Sequence, residues 1–102
     1  MKADNRVLVV IINAGHGEKV ADILRKEGAL GATMFNARGA GVDYDSVMGM
    51  SIDSSKQVIF SVMPKEMVNK MSKIIKTTFK ENKENCVLFD LPVSNYNKLH
   101  EN

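Results

Sequence analysis

Four β-branched or aromatic runs alternate with two amphipathic helical patterns along 102 residues, and the first run is apolar on both faces. With a long polar stretch between the second and third runs, this order predicts an α+β fold of the ferredoxin-like βαββαβ kind: an antiparallel four-stranded sheet with two helices on one face. A chain of 102 residues that is 44% hydrophobic suits a single domain over 1–102 with one core. Its 14 basic and 12 acidic side chains are interspersed, so a net charge of +2 leaves no footprint for nucleic acid. The lone Cys86 can form no internal disulfide, and Met1–Arg6 lacks the apolar core of a signal peptide, so a cytoplasmic protein is expected. The longest apolar run, Val7 to Ile12, is too short to span a bilayer.

Arg6 to Asn13 (RVLVVIIN) reads as a strand with both faces covered, hence a central one. After the turn Ala14-Gly-His-Gly, the spacing of Val20, Ile23 and Leu24 predicts a helix from about Glu18 to Glu27, with Gly28 as its C-terminal stop. Gly31 then leads into a second strand, Thr33 to Arg38. Val42 to Lys56 is rich in Asp and Ser, broken by Val47, Met48, Met50 and Ile52, and reads as one long loop insertion, 42–56, of the kind that carries function. Gln57 to Met63 is a third strand, and Pro64 is placed to open a helix. Met67, Met71, Ile74, Ile75 and Phe79 form that helix's apolar face, with lysines outside. Cys86 to Leu91 is the last strand, ended by Pro92.

Two corners could accept an anion. In the first, Arg38 supplies a permanent positive charge beside Gly39 and Gly41, whose backbone can approach a ligand closely. In the second, Gly15 and Gly17 flank His16 at a helix start, where free amides favour anions; a plain structural turn is the competing reading, since Glu18 repels phosphate and the Walker spacing is missing. His16 could serve as a base or metal ligand but has no partner ligands near it in sequence. Asp43, Asp45 and Asp53 do not form a calcium loop, because Met48 and Ser54 stand where the turn glycine and bidentate glutamate belong. Cys86 reads as a buried inert thiol, and no catalytic constellation or metal site emerges. An RNA-recognition module would need aromatic residues on its two central strands, and RVLVVIIN has none while QVIFSVM has only Phe60.

Gly31-Ala-Thr33 entering the second strand, Arg38-Gly-Ala-Gly41 leaving it, the long loop after it, and Val58-Ile-Phe-Ser-Val62 leading into a helix are the parts that carry a family likeness. From about Val7 to Val93 the chain resembles the nitrogen regulatory PII signal-transduction family, and more closely its shorter PII-like members. The resemblance implies a non-enzymatic homotrimer without a cofactor, binding an adenine nucleotide or other small anionic metabolite as regulatory ligand between subunits. It implies that Thr33 contacts the base, Val62 packs on the adenine, and Gly39 and Gly41 line the phosphate side. The 42–56 loop would then touch a partner, a membrane transporter or metabolic enzyme, through Tyr44, Met48, Met50 and Ile52. The chain departs from the family pattern in two places. The turn after the second helix, Lys83-Glu-Asn-Cys86, has no glycine, and the tail Ser94 to His100 lacks the arginine pair that grips phosphates, leaving Lys98 as partial substitute. Tyr44 sits at the loop's start and not at the family's modified position. The alternative reading keeps the fold and makes the trimer metal-binding or enzymatic through His16.

Overall fold

A computed structural model describes residues 4–29, 31–38, 55–80 and 86–97. Strand β1 (Asn5–Asn13), helix α1 (Gly17–Lys26), strands β2 (Thr33–Arg38) and β3 (Ser55–Pro64), helix α2 (Lys65–Lys80) and strand β4 (Cys86–Pro92) follow in order. The strands form one sheet in the order β2-β3-β1-β4, every neighbouring pair antiparallel. This is the βαββαβ architecture the sequence predicts, with β1 and β3 inside and β2 and β4 at the edges.

Strand alternation sorts β1 into two sets. Leu8, Val10 and Ile12 are buried to 1% exposure or less and meet Val20, Leu24, Met71, Ile75 and Phe79 of the helices in one core. Val7, Val9 and Ile11 face the other way, in register with Val62, Phe60 and Val58 of β3 and with Leu91, Phe89 and Val87 of β4. Val9 is buried even there, flanked by Phe60 and Phe89, while those two rings remain 43% and 42% exposed. Phe35 of β2 packs edge-on against Phe60, ring centroids 5.4 Å apart. The sheet therefore has one face under helices and one broad apolar face that no other described element covers.

α1 is held at its end by backbone geometry. Gly28 adopts φ +96°, the Ala29 amide donates to Leu24 O at 2.9 Å and the Gly28 amide to Arg25 O at 3.2 Å, the pair of bonds of a Schellman stop. A Cβ on Gly28 would approach only Met67 Cε, at 3.9 Å, so the cost of a side chain is conformational and not steric. Gly28→Ala is expected to lower stability by about 1 kcal/mol, read as a lower urea midpoint with an unchanged slope. The connection onward is tied by Ser61, the one buried polar side chain among the described residues, whose hydroxyl donates to Gly31 O at 2.7 Å. On the same sheet face, Arg6 of β1 and Asp90 of β4 form an ion pair across the two strands.

The structure departs from the sequence reading at the start of β3, at Pro64 and at Cys86. β3 begins at Ser55, so Ser55 and Lys56 belong to the sheet and not to the loop: they pair with Arg38 and Ala37 of β2, and that pairing overrides their weak strand propensity. Pro64 closes β3 opposite Asn5, and α2 starts one residue later, at Lys65, whose amide donates to Asp4 O at 2.9 Å. Cys86 is half-buried and not fully enclosed.

Candidate functional site

β2 is an edge strand, and the residues singled out on it lie at its two ends. Thr33 sits on the open face opposite Phe60, and Val62 lies two residues further along β3 on that face, so the pair forms a small platform beside the exposed Phe60 ring. Arg38 ends β2 five residues on, roughly 17 Å away at strand rise, exposed and on the side of the sheet that Met34 shares with the core. An elongated ligand lying along this edge could be met from both ends, by an apolar and hydroxyl platform at one and a guanidinium at the other. Gly39 and Gly41, and the loop residues Tyr44, Met48, Met50 and Ile52, lie outside the described residues, as do 81–85 and Lys98.

The turn between β1 and α1 carries the second corner. Gly15 adopts φ +100°, a conformation that favours glycine, and the His16 amide closes the turn on Asn13 O at 3.2 Å. The His16 side chain makes no capping bond to α1. Instead Gln57 reaches across from β3: its Oε1 accepts the amides of Gly15 at 3.0 Å and Gly17 at 2.8 Å. The two donors that sequence reasoning offered to an anion are thus taken by a neutral carboxamide oxygen of the same chain. Beside it, the Ala14 amide donates to Ser55 O at 3.1 Å and Lys56 Nζ donates to Asn13 Oδ1 at 2.6 Å. Because Ser55 also pairs with Arg38, the start of β3 joins the two corners, which lie far apart in sequence. Ser55, Lys56 and Gln57 escaped the sequence reading, which left the first two in the loop and treated Gln57 only as the first residue of a strand.

His16 turns its ring edge-on to Phe79, centroids 6.3 Å apart, while Lys19 Nζ stands 5.6 Å from the centre of the same ring. Among the described residues no group of three His, Cys, Asp or Glu side chains could hold a metal ion, so His16 gathers no ligand set from them. A groove of about 460 Å³ opens beyond Phe79, between the end of α2 and β4, lined by Lys76, Thr77, Lys80, Cys86 and Leu88. No helix among the described residues is long and apolar enough to cross a membrane.

The family model described as nitrogen regulatory protein P-II matches residues 6–101. Against curated proteins the chain finds no match. Among solved structures it is similar to a DUF3240 family protein from Shewanella baltica OS155, at 15% identity and TM-score 0.74, covering 97% of this chain and 100% of that one. It is also similar to CPII from Thiomonas intermedia K12 bound to ADP, AMP and acetate, at 21% identity and TM-score 0.64, covering 92% of this chain and 93% of that one. A third is the GlnK–ATP complex of B. subtilis, at 18% identity and TM-score 0.69, covering 91% of this chain and 86% of that one.

Proposed function

Since the chain belongs to the nitrogen regulatory protein P-II family, matched over residues 6–101, we propose that it is a non-enzymatic sensor of an adenine nucleotide, acting in the cytoplasm as a homotrimer. The nucleotide lies along the β2 edge in a cleft between subunits. Thr33 and Val62 take the base, and Arg38 with Gly39 and Gly41 takes the phosphates. The family match carries this reading. The adenine nucleotides held by CPII and GlnK support it. The apolar sheet face supports the trimer, because Phe35, Phe60, Val87, Phe89 and Leu91 are each at least 42% exposed in the single chain, more clustered apolar surface than a monomer ordinarily shows.

Signalling then runs through the loop. A ligand that engages Arg38, Gly39 and Gly41 selects one arrangement of the chain that follows, and its differential affinity for the arrangements sets the response of a transporter or metabolic enzyme that touches Tyr44, Met48, Met50 and Ile52. Gly15 and Gly17 have no direct part in binding while Gln57 holds their amides.

Calorimetry with ATP, ADP, AMP and small carboxylates tests the reading. At least one adenine nucleotide should bind in the wild type. Arg38→Ala should weaken it roughly tenfold to hundredfold, the range for a lost charge-assisted hydrogen bond. The fold should be unaffected, since Arg38 is exposed. Silence across all ligands removes the nucleotide, and unchanged affinity in Arg38→Ala moves the phosphate site elsewhere.

A further inference from the structure

An α-helix leaves its first amides without intrahelical partners, and a side chain just before it ordinarily answers them. Here the answer to Gly17 comes from a residue 40 positions away, Gln57, whose Oε1 also takes the Gly15 amide. The site is shaped for that side chain: a Cβ on Gly17 would stand 2.7 Å from Oε1. Gln57 is in turn two residues from Ser55, which pairs with Arg38 at the end of the same strand contact. Alternation places Ser55 and Gln57 on one face of β3, and they move as one piece of strand.

We propose that Gln57 is a positioning residue that couples the loop base beside Arg38 to the first turn of α1. Its carboxamide oxygen fills an amide pair that would otherwise stand open. A displacement of β3 imposed at Arg38 and Ser55 withdraws that oxygen, and both donors lose their acceptor together. The arrangement of the loop base and the order of the β1–α1 turn are therefore one equilibrium, read at Gly15 and Gly17. This regulation of the ligand site rests on the reading that Arg38 and the residues after it hold the ligand.

Amide hydrogen exchange by NMR on the full ¹⁵N-labelled chain tests the coupling, with ADP calorimetry beside it. Gln57→Leu should raise the exchange rates of the Gly15 and Gly17 amides roughly tenfold. It should also shift the resonances of Arg38 and of residues 39–54, and weaken ADP binding by roughly fivefold or more. Gln57→Glu keeps the acceptor and should restore all three. If Gln57→Leu does not fold, Gln57→Ala and Gly17→Ala, which displace the same oxygen by deletion and by crowding, provide the readout. Unchanged exchange at Gly15 and Gly17 overturns the proposal. So does fast exchange there with Arg38 and 39–54 unmoved, which would make Gln57 a staple of the turn alone. Should the wild type bind none of ATP, ADP and AMP while the amides respond as expected, the nucleotide reading falls and the coupling stands.

Discussion

Phe60→Asp will leave a folded protein that no longer self-associates. Phe60 lies on the inner strand β3 at the middle of the open face, in register with Val9 on one side and Thr33 on the other, and 43% of it remains exposed in the single chain. A phenylalanine can bury roughly 200 Å², so covering that remainder is worth about 2 kcal/mol per subunit. Putting a carboxylate into a closed apolar interface adds a desolvation penalty of several kcal/mol more. In a closed ring each interface bears the change, and the penalties accumulate around it. The fold should survive, because the helix-side core of Leu8, Val10, Ile12, Ile59, Met71 and Ile75 lies on the other side of the sheet. Sedimentation velocity should give a trimer for the wild type at micromolar concentration and a monomer for Phe60→Asp, with matching far-UV spectra. Nucleotide binding should disappear with the trimer although no proposed contact residue has changed. A wild-type monomer removes the intersubunit cleft, and a trimeric Phe60→Asp takes the interface off the open sheet face.

Where short-range rules decide, the chain was legible. Alternation in RVLVVIIN named both faces of β1 before any partner was known, the 3.6-residue pattern of Met67, Met71, Ile75 and Phe79 marked the inner side of α2, and Gly28 marked the stop of α1. The misreadings came where a distant partner sets the local structure. Ser55 and Lys56 look like loop residues, yet pairing with β2 makes them strand. Pro64 is a sound helix opener, but β1 claims it as the end of a strand. The N-terminus of α1 carried no capping signal at His16, because its cap is Gln57. For the candidate site, sequence placed Arg38 at the end of β2, and its family likeness supplied Thr33 and Val62. Only the fold showed that Thr33 and Val62 share the open face while Arg38 lies on the other side of an edge strand, and that Arg38 and the β1–α1 turn meet through Ser55.

Gly17→Ala separates that long-range packing from local helix preference, because the two predict opposite signs. Gly17 is the first residue of α1 with no left-handed φ, so alanine fits the backbone, and intrinsic propensity favours it over glycine by up to about 1 kcal/mol. Its surroundings oppose the change: a Cβ would fall 2.5 Å from Met34 Sδ, 2.7 Å from Gln57 Oε1 and 3.0 Å from Gln57 Cδ. Both neighbours are long side chains and can withdraw, but Gln57 can do so only by giving up the amides of Gly15 and Gly17, at about 1 kcal/mol each. Moving Met34 from its place against the core adds the cost of overpacking, about 1–3 kcal/mol. The balance is a destabilisation of about 2–4 kcal/mol, measured as a lower urea midpoint with an unchanged slope. A cycle with Met34→Ala apportions it: removing the thioether should recover part of the loss and leave the part belonging to Gln57, since residues in contact do not add. A neutral or stabilising Gly17→Ala would mean that the turn, Met34 and Gln57 are not packed together, and the path from Arg38 to α1 would lose its middle.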